Sequence, residues 1–263
     1  MKEGVERLAE EIVEAEGVVV FTGAGVSTES GIPDFRSPGG LWSRYDPSDF
    51  YFGRFLSSED SRRKYWQMYK EFFAVLHRAK PNPAHYACCE LWQMGKLTAV
   101  ITQNVDGLHQ ASGLPQDKVV ELHGNATRVR CLDCGRTYHS VQIEEWLRQG
   151  VEVPRCEGCG GLLKPATISF GQAMPEEEVR LAERYARGCD LFISVGSSLL
   201  VHPAAFMPLF AKEAGARLII VNLSETPYDG RADLLLRGRA AEVLPEAVRR
   251  AKELLTSSRS QGR

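Results

Sequence analysis

The sequence has no long apolar run. Runs such as Val18–Phe21 and Leu218–Val221 are four residues long, whereas a helix needs about 20 to cross a bilayer. No membrane span is therefore expected. Residues 1–16 carry charge throughout and do not read as a secretory signal, so a cytoplasmic location is expected. Excess charge of one sign is also missing: 32 basic and 34 acidic side chains leave a formal charge of -2. That balance argues against an electrostatic grip on nucleic acid or on an anionic membrane. Seven cysteines, an odd number, give poor support for a disulfide framework. No internal repeat is present. What remains is ordinary globular composition, with 43% hydrophobic and 25% charged residues in 263.

Four of the cysteines form two pairs, Cys131-Leu-Asp-Cys134 and Cys156-Glu-Gly-Cys159, with 21 residues between the pairs. A two-residue gap lets a tight turn aim two thiolates at one cation, and two such turns complete a tetrahedron. Gly135, Gly158, Gly160 and Gly161 suit those turns. The pattern predicts a bound zinc ion in preference to a redox dithiol. Four thiolates leave the metal no open position, so the site is structural. Arg130, Arg136 and Arg155 stand nearby to offset its charge, and His139 reads as an ordinary surface histidine. Cys88, Cys89 and Cys189 read as buried packing.

Along the chain, residues 3–15 space Val5, Leu8, Ile12 and Val13 as a helix that Gly17 ends. Strands are expected at Val18–Thr22, Leu97–Thr102, Val119–Leu122, Asp190–Val195 and Arg217–Val221. They are continuously apolar rather than alternating, as strands covered on both faces are. Helices are expected at Pro81–Met94, Pro175–Ala186, Ala204–Ala214 and Pro245–Leu255. Strands alternating with helices predict an α/β fold built on a doubly wound, Rossmann-like parallel sheet. Two stretches break the rhythm. Residues 126–164 read as a small inserted zinc-ribbon module, and 37–80, rich in aromatics, as a helical and loop insertion. That leaves 1–36, 81–125 and 165–256 for the main domain and 257–263 as a flexible tail.

After the first strand comes Gly23-Ala24-Gly25, the geometry that lets backbone N–H groups approach a pyrophosphate. Thr28 stands where a third glycine would complete the dinucleotide fingerprint. On the turn alone, a plain tight turn and a nucleotide site both stay open.

The longer stretch Gly23 to Arg36 (GAGVSTESGIPDFR) resembles the signature of the sirtuin family, the NAD-dependent protein deacylases, in its bacterial or archaeal deacetylase form. So do Thr102-Gln-Asn-Val-Asp-Gly-Leu-His109, His123-Gly124, the two cysteine pairs, Gly196-Ser-Ser198, Pro203-Ala-Ala205 and Val221-Asn222. These motifs follow the family's order across roughly residues 5–250. The resemblance implies a reaction that consumes NAD as co-substrate. The acetyl group of a lysine passes to ADP-ribose, and nicotinamide and O-acetyl-ADP-ribose are released. It implies one structural zinc per chain and acetylated-lysine proteins or peptides as partners.

Site roles follow the same resemblance. His123 is implied as the general base on a ribose hydroxyl, and Asn104 as the group that positions ribose and water. Gln103, the Val105 backbone and Asp106 are implied at the ribose and nicotinamide. Gly23, Ala24, Gly25, Thr28 and Arg36 would line the nucleotide, Asp34 would fix the loop, and Phe35 would cover the nicotinamide. Gly196, Ser197, Ser198, Asn222 and, through its backbone, Ala240 fall at the adenosine half. Ile168, Phe170 and Gly171 resemble the acyl-lysine tunnel, and Gly171 and Val201 flank the peptide as an added strand. His109 reads as structural. Gln172 departs from the family's glutamate, which puts a preference for basic flanking residues in doubt. Tyr65-Trp-Gln-Met68 lacks the arginine of the family's Tyr-x-x-Arg pair for acidic acyl groups, so acetyl is favoured over succinyl. Mono-ADP-ribosyl transfer on the same scaffold, a dehydrogenase and a nucleic-acid-binding zinc ribbon are the alternatives.

Overall fold

The structure, a computed structural model, describes residues 2–35 and 37–261. Its nine strands in the described residues are β1 Val18–Thr22, β2 Leu97–Thr102, β3 Val119–Glu121, β4 Gly124–Cys131, β5 Thr137–His139, β6 Leu163–Thr167, β7 Leu191–Val195, β8 Arg217–Val221 and β9 Leu234–Leu236. The helices are α1 Lys2–Glu14, α2 Phe52–Ser57, α3 Glu59–Leu76, α4 Pro83–Gln93, α5 Leu108–Ala111, α6 Ser140–Arg148, α7 Glu176–Gly188, α8 Met207–Glu213 and α9 Ala240–Gln261.

Six strands form one parallel sheet in the order β3-β2-β1-β7-β8-β9. This is the doubly wound, Rossmann-like arrangement that strand–helix alternation implies. Side chains alternate between its faces. Val18 and Val20 of β1 join the core beneath α1, α4 and α9, while Val19 and Phe21 join the core beneath α7 and α8. Both faces are dry, which is why these strands carry no polar alternation.

The other three strands make a small antiparallel sheet, β5-β4-β6. Trp66, Tyr69 and Phe73 of α3 pack on it together with Val129, Tyr138, Ile143 and Leu163. The aromatic insertion and the cysteine module therefore share one apolar core. A single crossing at His123–Gly124 carries the chain from β3 into β4. Gly124 has φ +72, and a Cβ there would lie 2.1 Å from the Ala166 carbonyl oxygen. Only glycine fits that crossing.

Three expectations are corrected. The last helix begins at Ala240 and runs to Gln261 rather than from Pro245 to Leu255. Arg239 O accepts from the Glu242 and Val243 N–H groups, so the first turn closes ahead of Pro245. At the far end the helix runs through most of the expected tail to Gln261, with the Thr256 and Ser257 hydroxyls donating back to the Lys252 and Glu253 carbonyls. The helix expected at Ala204–Ala214 opens as a short 3-10 turn, Ala204–Phe206, before α8. β9 adds an edge strand. Gly262 and Arg263, the end of the expected tail, lie outside the described residues.

Candidate active site

β1 lies between β2 and β7, and its last residue, Thr22, is level with Thr102 and Val195. Chain connections leave in opposite directions from this point, where open parallel sheets hold ligands. The Gly23–Val26 turn packs against the loop that follows β7. Gly23 N donates to Val195 O at 3.2 Å and Gly25 N to Gly196 O at 2.9 Å. A Cβ on either glycine would sit 2.8 Å from Gly196 O. The two glycines are thus required by close approach of two loops.

A buried polar network lies under this turn. The Thr22 hydroxyl donates to Thr102 Oγ1 at 2.8 Å, and Asn104 N donates to the same oxygen at 3.0 Å. Asn104 Nδ2 donates to Ser27 Oγ at 3.1 Å, and the Ser27 hydroxyl donates to Asp106 Oδ2 at 2.7 Å. Leu108 N supplies the other Asp106 oxygen at 2.9 Å. Burial pushes the Asp106 carboxyl up, against the pull of these donors. Two histidine rings close the network, with centroids 4.9 Å apart: His109 meets Thr22 Oγ1 at 2.9 Å and His85 meets Ser27 Oγ at 3.4 Å. Burial lowers both, His85 to about 4 and His109 well below its ordinary value. Both rings are neutral at physiological pH. His109 is fully buried and bonded to Thr22, away from the cavity described below. Ser27, His85, Thr22 and Thr102 carry no spacing signal and were not singled out by sequence. His85, at the capping box of α4, was the one with a local cue.

His123 is half-buried beside this network. Its Nδ1 lies 3.2 Å from Gln103 O, and Gln103 Nε2 donates to Ser197 Oγ at 2.8 Å. A carbonyl can only accept, so Nδ1 carries the proton and Nε2 keeps its lone pair. Burial lowers the ring's pKa, with the Gln103 carbonyl acting the other way. A neutral imidazole with a free Nε2 is what a general base requires.

A cavity of about 430 Å³ is lined by Phe35, Gln103, Val105, His123, Ile168, Phe170, Gly171 and Val201. Expected site residues from five separate segments therefore meet around one space. The cavity runs on between Trp42, Tyr65, Met68, Tyr69 and Phe72. Phe35 stacks near Trp42 at 5.6 Å, and Trp42 near Phe170 at 6.0 Å. Thr28 and Asp34 line a separate space of about 250 Å³, and Asp34 Oδ1 accepts from Ser37 N, fixing the loop. Ser198 follows Ser197 at the end of β7. Asn222 follows β8, its N–H on Leu236 O and its Nδ2 on Ser224 O. Ala240 opens α9 and is buried in the core. Ala24 is half-exposed on the turn. Arg36 lies outside the described residues.

The four cysteine sulfurs all lie within 4.8 Å of one another. Cys131 and Cys159 are 3.5 Å apart, and Cys134 and Cys156 are 3.6 Å apart. A tetrahedron with zinc–sulfur bonds of about 2.3 Å has edges of about 3.8 Å, so the quartet fits zinc. Disulfides would need about 2.05 Å. Tyr138 Oη lies 3.2 Å from Cys156 Sγ and accepts from Glu157 N. His139 is no ligand; its Nδ1 accepts from Val141 N and caps α6. No helix in the described residues is long and apolar enough to cross a membrane.

A family model described as "Sir2 family" matches residues 23–203. The chain belongs to the Sir2 family. An "NAD-dependent protein deacetylase" of Rhodopseudomonas palustris is 46% identical over 244 residues, covering 93% of this chain and 96% of the relative. A structure described under "Structural Basis for the Mechanism and Regulation of Sir2 Enzymes" superposes with a TM-score of 0.87 at 43% identity, over 97% of this chain and all of that one. A Sir2 enzyme in complex with a deacetylated p53 peptide and 3'-O-acetyl-ADP-ribose gives 0.86 at 36% identity, over 95% and 98% of the two chains. The Sir2 fold is thus the frame on which the glycine turn, His123 and the zinc quartet sit.

Proposed function

We propose that this chain is an NAD-dependent protein lysine deacetylase. It moves the acetyl group of a lysine onto ADP-ribose and releases nicotinamide and O-acetyl-ADP-ribose. The observation that carries this reading is the shared cavity. Phe35, Gln103, Val105, His123 and the slot Ile168–Gly171 all face it.

NAD, when bound, supplies a sugar carbon that becomes electrophilic as nicotinamide departs. The residues present fit such a co-substrate. Gly23, Ala24, Gly25 and Thr28 bring backbone close at the switch point, and Asp34 holds the covering loop with Phe35. Val105 and Asp106 meet the nicotinamide amide. Gln103 and Asn104 meet the ribose, with Asn104 oriented by Ser27. Gly196, Ser197, Ser198, Asn222 and Ala240 take the adenosine half, and Arg36 completes the nucleotide set. His123 takes a ribose hydroxyl proton through Nε2. The neutral, uncharged acyl-lysine suits a slot walled by Ile168, Phe170 and the Gly171 backbone. The peptide adds as a strand between the Gly171 and Val201 segments, so backbone is read more than sequence. The four-cysteine zinc holds the small sheet and takes no part in the chemistry.

Gln172 Oε1 accepts from Ser169 N at 3.2 Å and closes its own turn. It presents no carboxylate to the peptide. The apolar continuation toward Tyr65, Met68, Tyr69 and Phe72 supports a second reading, in which acyl groups longer than acetyl are also removed.

The test is turnover of one peptide carrying acetyl, succinyl or a long-chain acyl group, with and without NAD. NAD-dependent removal of acetyl, and slower removal of succinyl, is expected. Removal without NAD, or a succinyl preference, would overturn the reading.

A further inference from the structure

Resting on the deacetylase reading, we propose that Glu121 is a positioning residue: a largely buried carboxylate clamp that closes around His123 and ties α5, which follows the Gln103–Asp106 loop, to the strand beyond it. Glu121 ends β3, and Asn125 stands second in β4. Between them lie only Leu122, His123 and Gly124. Glu121 Oε1 accepts from Asn125 Nδ2 at 2.6 Å, so the clamp spans the proposed base. The same oxygen accepts from Gln110 Nε2 at 2.9 Å. Gln110 belongs to α5, directly after the loop that carries Asn104 and Asp106. Oε2 accepts from Arg128 Nη2 at 3.2 Å. The Glu121 side chain is 10% exposed.

The bonds continue outward. Asn125 Oδ1 accepts from Thr127 N and Thr127 Oγ1. Ala126 N donates to Val105 O at 2.8 Å. The Tyr69 hydroxyl donates to Ala126 O at 2.9 Å and brings in α3. Among the described residues, the His123 ring has one bond, 3.2 Å to Gln103 O, at the long end for N–H···O. The ring is therefore placed mainly by backbone held on either side. The clamp supplies that hold on the far side of the ring, and Gln110 extends it to the helix that follows the Asn104–Asp106 loop.

An acceptor is required, more than a charge. Both the Asn125 and Gln110 bonds end on one oxygen, which a glutamine carbonyl can replace. The third partner, Arg128, has a side chain 53% exposed, so that pair is screened and weak.

The experiment compares Glu121→Ala, Glu121→Gln and Gln110→Ala in the zinc-loaded protein. Steady-state kcat and KM for acetylated peptide, zinc content and melting temperature are measured together. Glu121→Ala is expected to lower kcat on the order of 100-fold, the cost of misplacing a reacting group by about 1 Å, with peptide KM and zinc content held. Glu121→Gln is expected near wild type, and Gln110→Ala between the two. Unchanged kcat in Glu121→Ala overturns the inference. So does a Glu121→Gln as slow as the alanine variant, or a kcat loss that merely tracks lost zinc or lost folding. A wild type without NAD-dependent turnover overturns the deacetylase reading and this inference with it.

Discussion

The parallel sheet and the small antiparallel sheet are stabilised in different ways. β1, β7 and β8 are covered on both faces, with Val18, Val20, Ile193 and Ile219 on one side and Phe21, Phe192 and Ile220 on the other. Fully burying each such side chain contributes about 1.5–3 kcal/mol. The small sheet has a core of ten buried residues, three of them borrowed from α3 and two of them cysteines. A core that small needs a staple, and the cysteine quartet provides it. The difference teaches where chemistry is placed. The rigid large sheet offers its strand ends, the metal-stapled sheet offers a wall, and His123 sits on the one strand-to-strand crossing between them.

Removing the metal should separate the two regions most sharply. Structural zinc contributes about 10 kcal/mol or more to modules of this kind. Chelation, or Cys156→Ser, should abolish deacetylation and release hydrogen-exchange protection across β4–β6 while β1 and β7 stay protected. Equal loss of protection in both sheets would break the comparison.

Replacing His123, the proposed base, should act on the crossing alone. His123→Ala is expected to lower turnover by about 10²–10⁴-fold, with NAD binding retained by calorimetry. A variant that keeps full turnover removes His123 from the scheme.

Acid should act on the large sheet first. His85 and His109 are buried beneath its strand ends with lowered pKa values. An unfolded chain protonates them near 6.5, and the folded one does not, so stability is full above about pH 6.5 and falls as pH drops toward 4. The shift of His85 to about 4 corresponds to roughly 3 kcal/mol. Urea midpoints between pH 7 and 4.5 should fall, and less so in His85→Gln. A flat profile would contradict the burial argument.

The smallest effect is expected inside the small sheet. Tyr138→Phe keeps the ring against Trp146 but removes the hydroxyl beside Cys156 Sγ. A lost bond of this kind costs about 1–3 kcal/mol. Zinc transfer to a chromogenic chelator should be faster, with the melting of the large sheet unchanged.

Much of the large sheet was readable in sequence. β1, β2 and β8 fall on the expected residues because continuous apolar runs, buried on both faces, end abruptly at Gly17, Lys96 and Asn222. β9 was missed because three leucines have no period to read. The start of α9 was missed because Pro245 suggests a first turn, whereas Ala240–Leu244 already supplies one. The 18-residue α3 falls inside the expected helical and loop insertion, but its bounds were not given, although Trp66, Tyr69, Phe73 and Leu76 share one buried face. In the site, the zinc quartet and the glycine turn carry a local spacing that can be read directly, whereas His123 was reached only through the family resemblance of His123-Gly124 and the motifs around it. Ser27, Thr22, Thr102, His85 and Glu121 were not legible. Their partners come from segments tens of residues away, and single hydroxyls or carboxylates carry no pattern of their own.

The central claim is that loss of the acetyl group is coupled to breakage of NAD. The most direct measurement is a single incubation with NAD and an acetylated peptide, with every product quantified by mass. One nicotinamide and one acetylated ADP-ribose per lysine freed is the predicted result. Free acetate with NAD intact, or NAD recovered in reduced form, would contradict it.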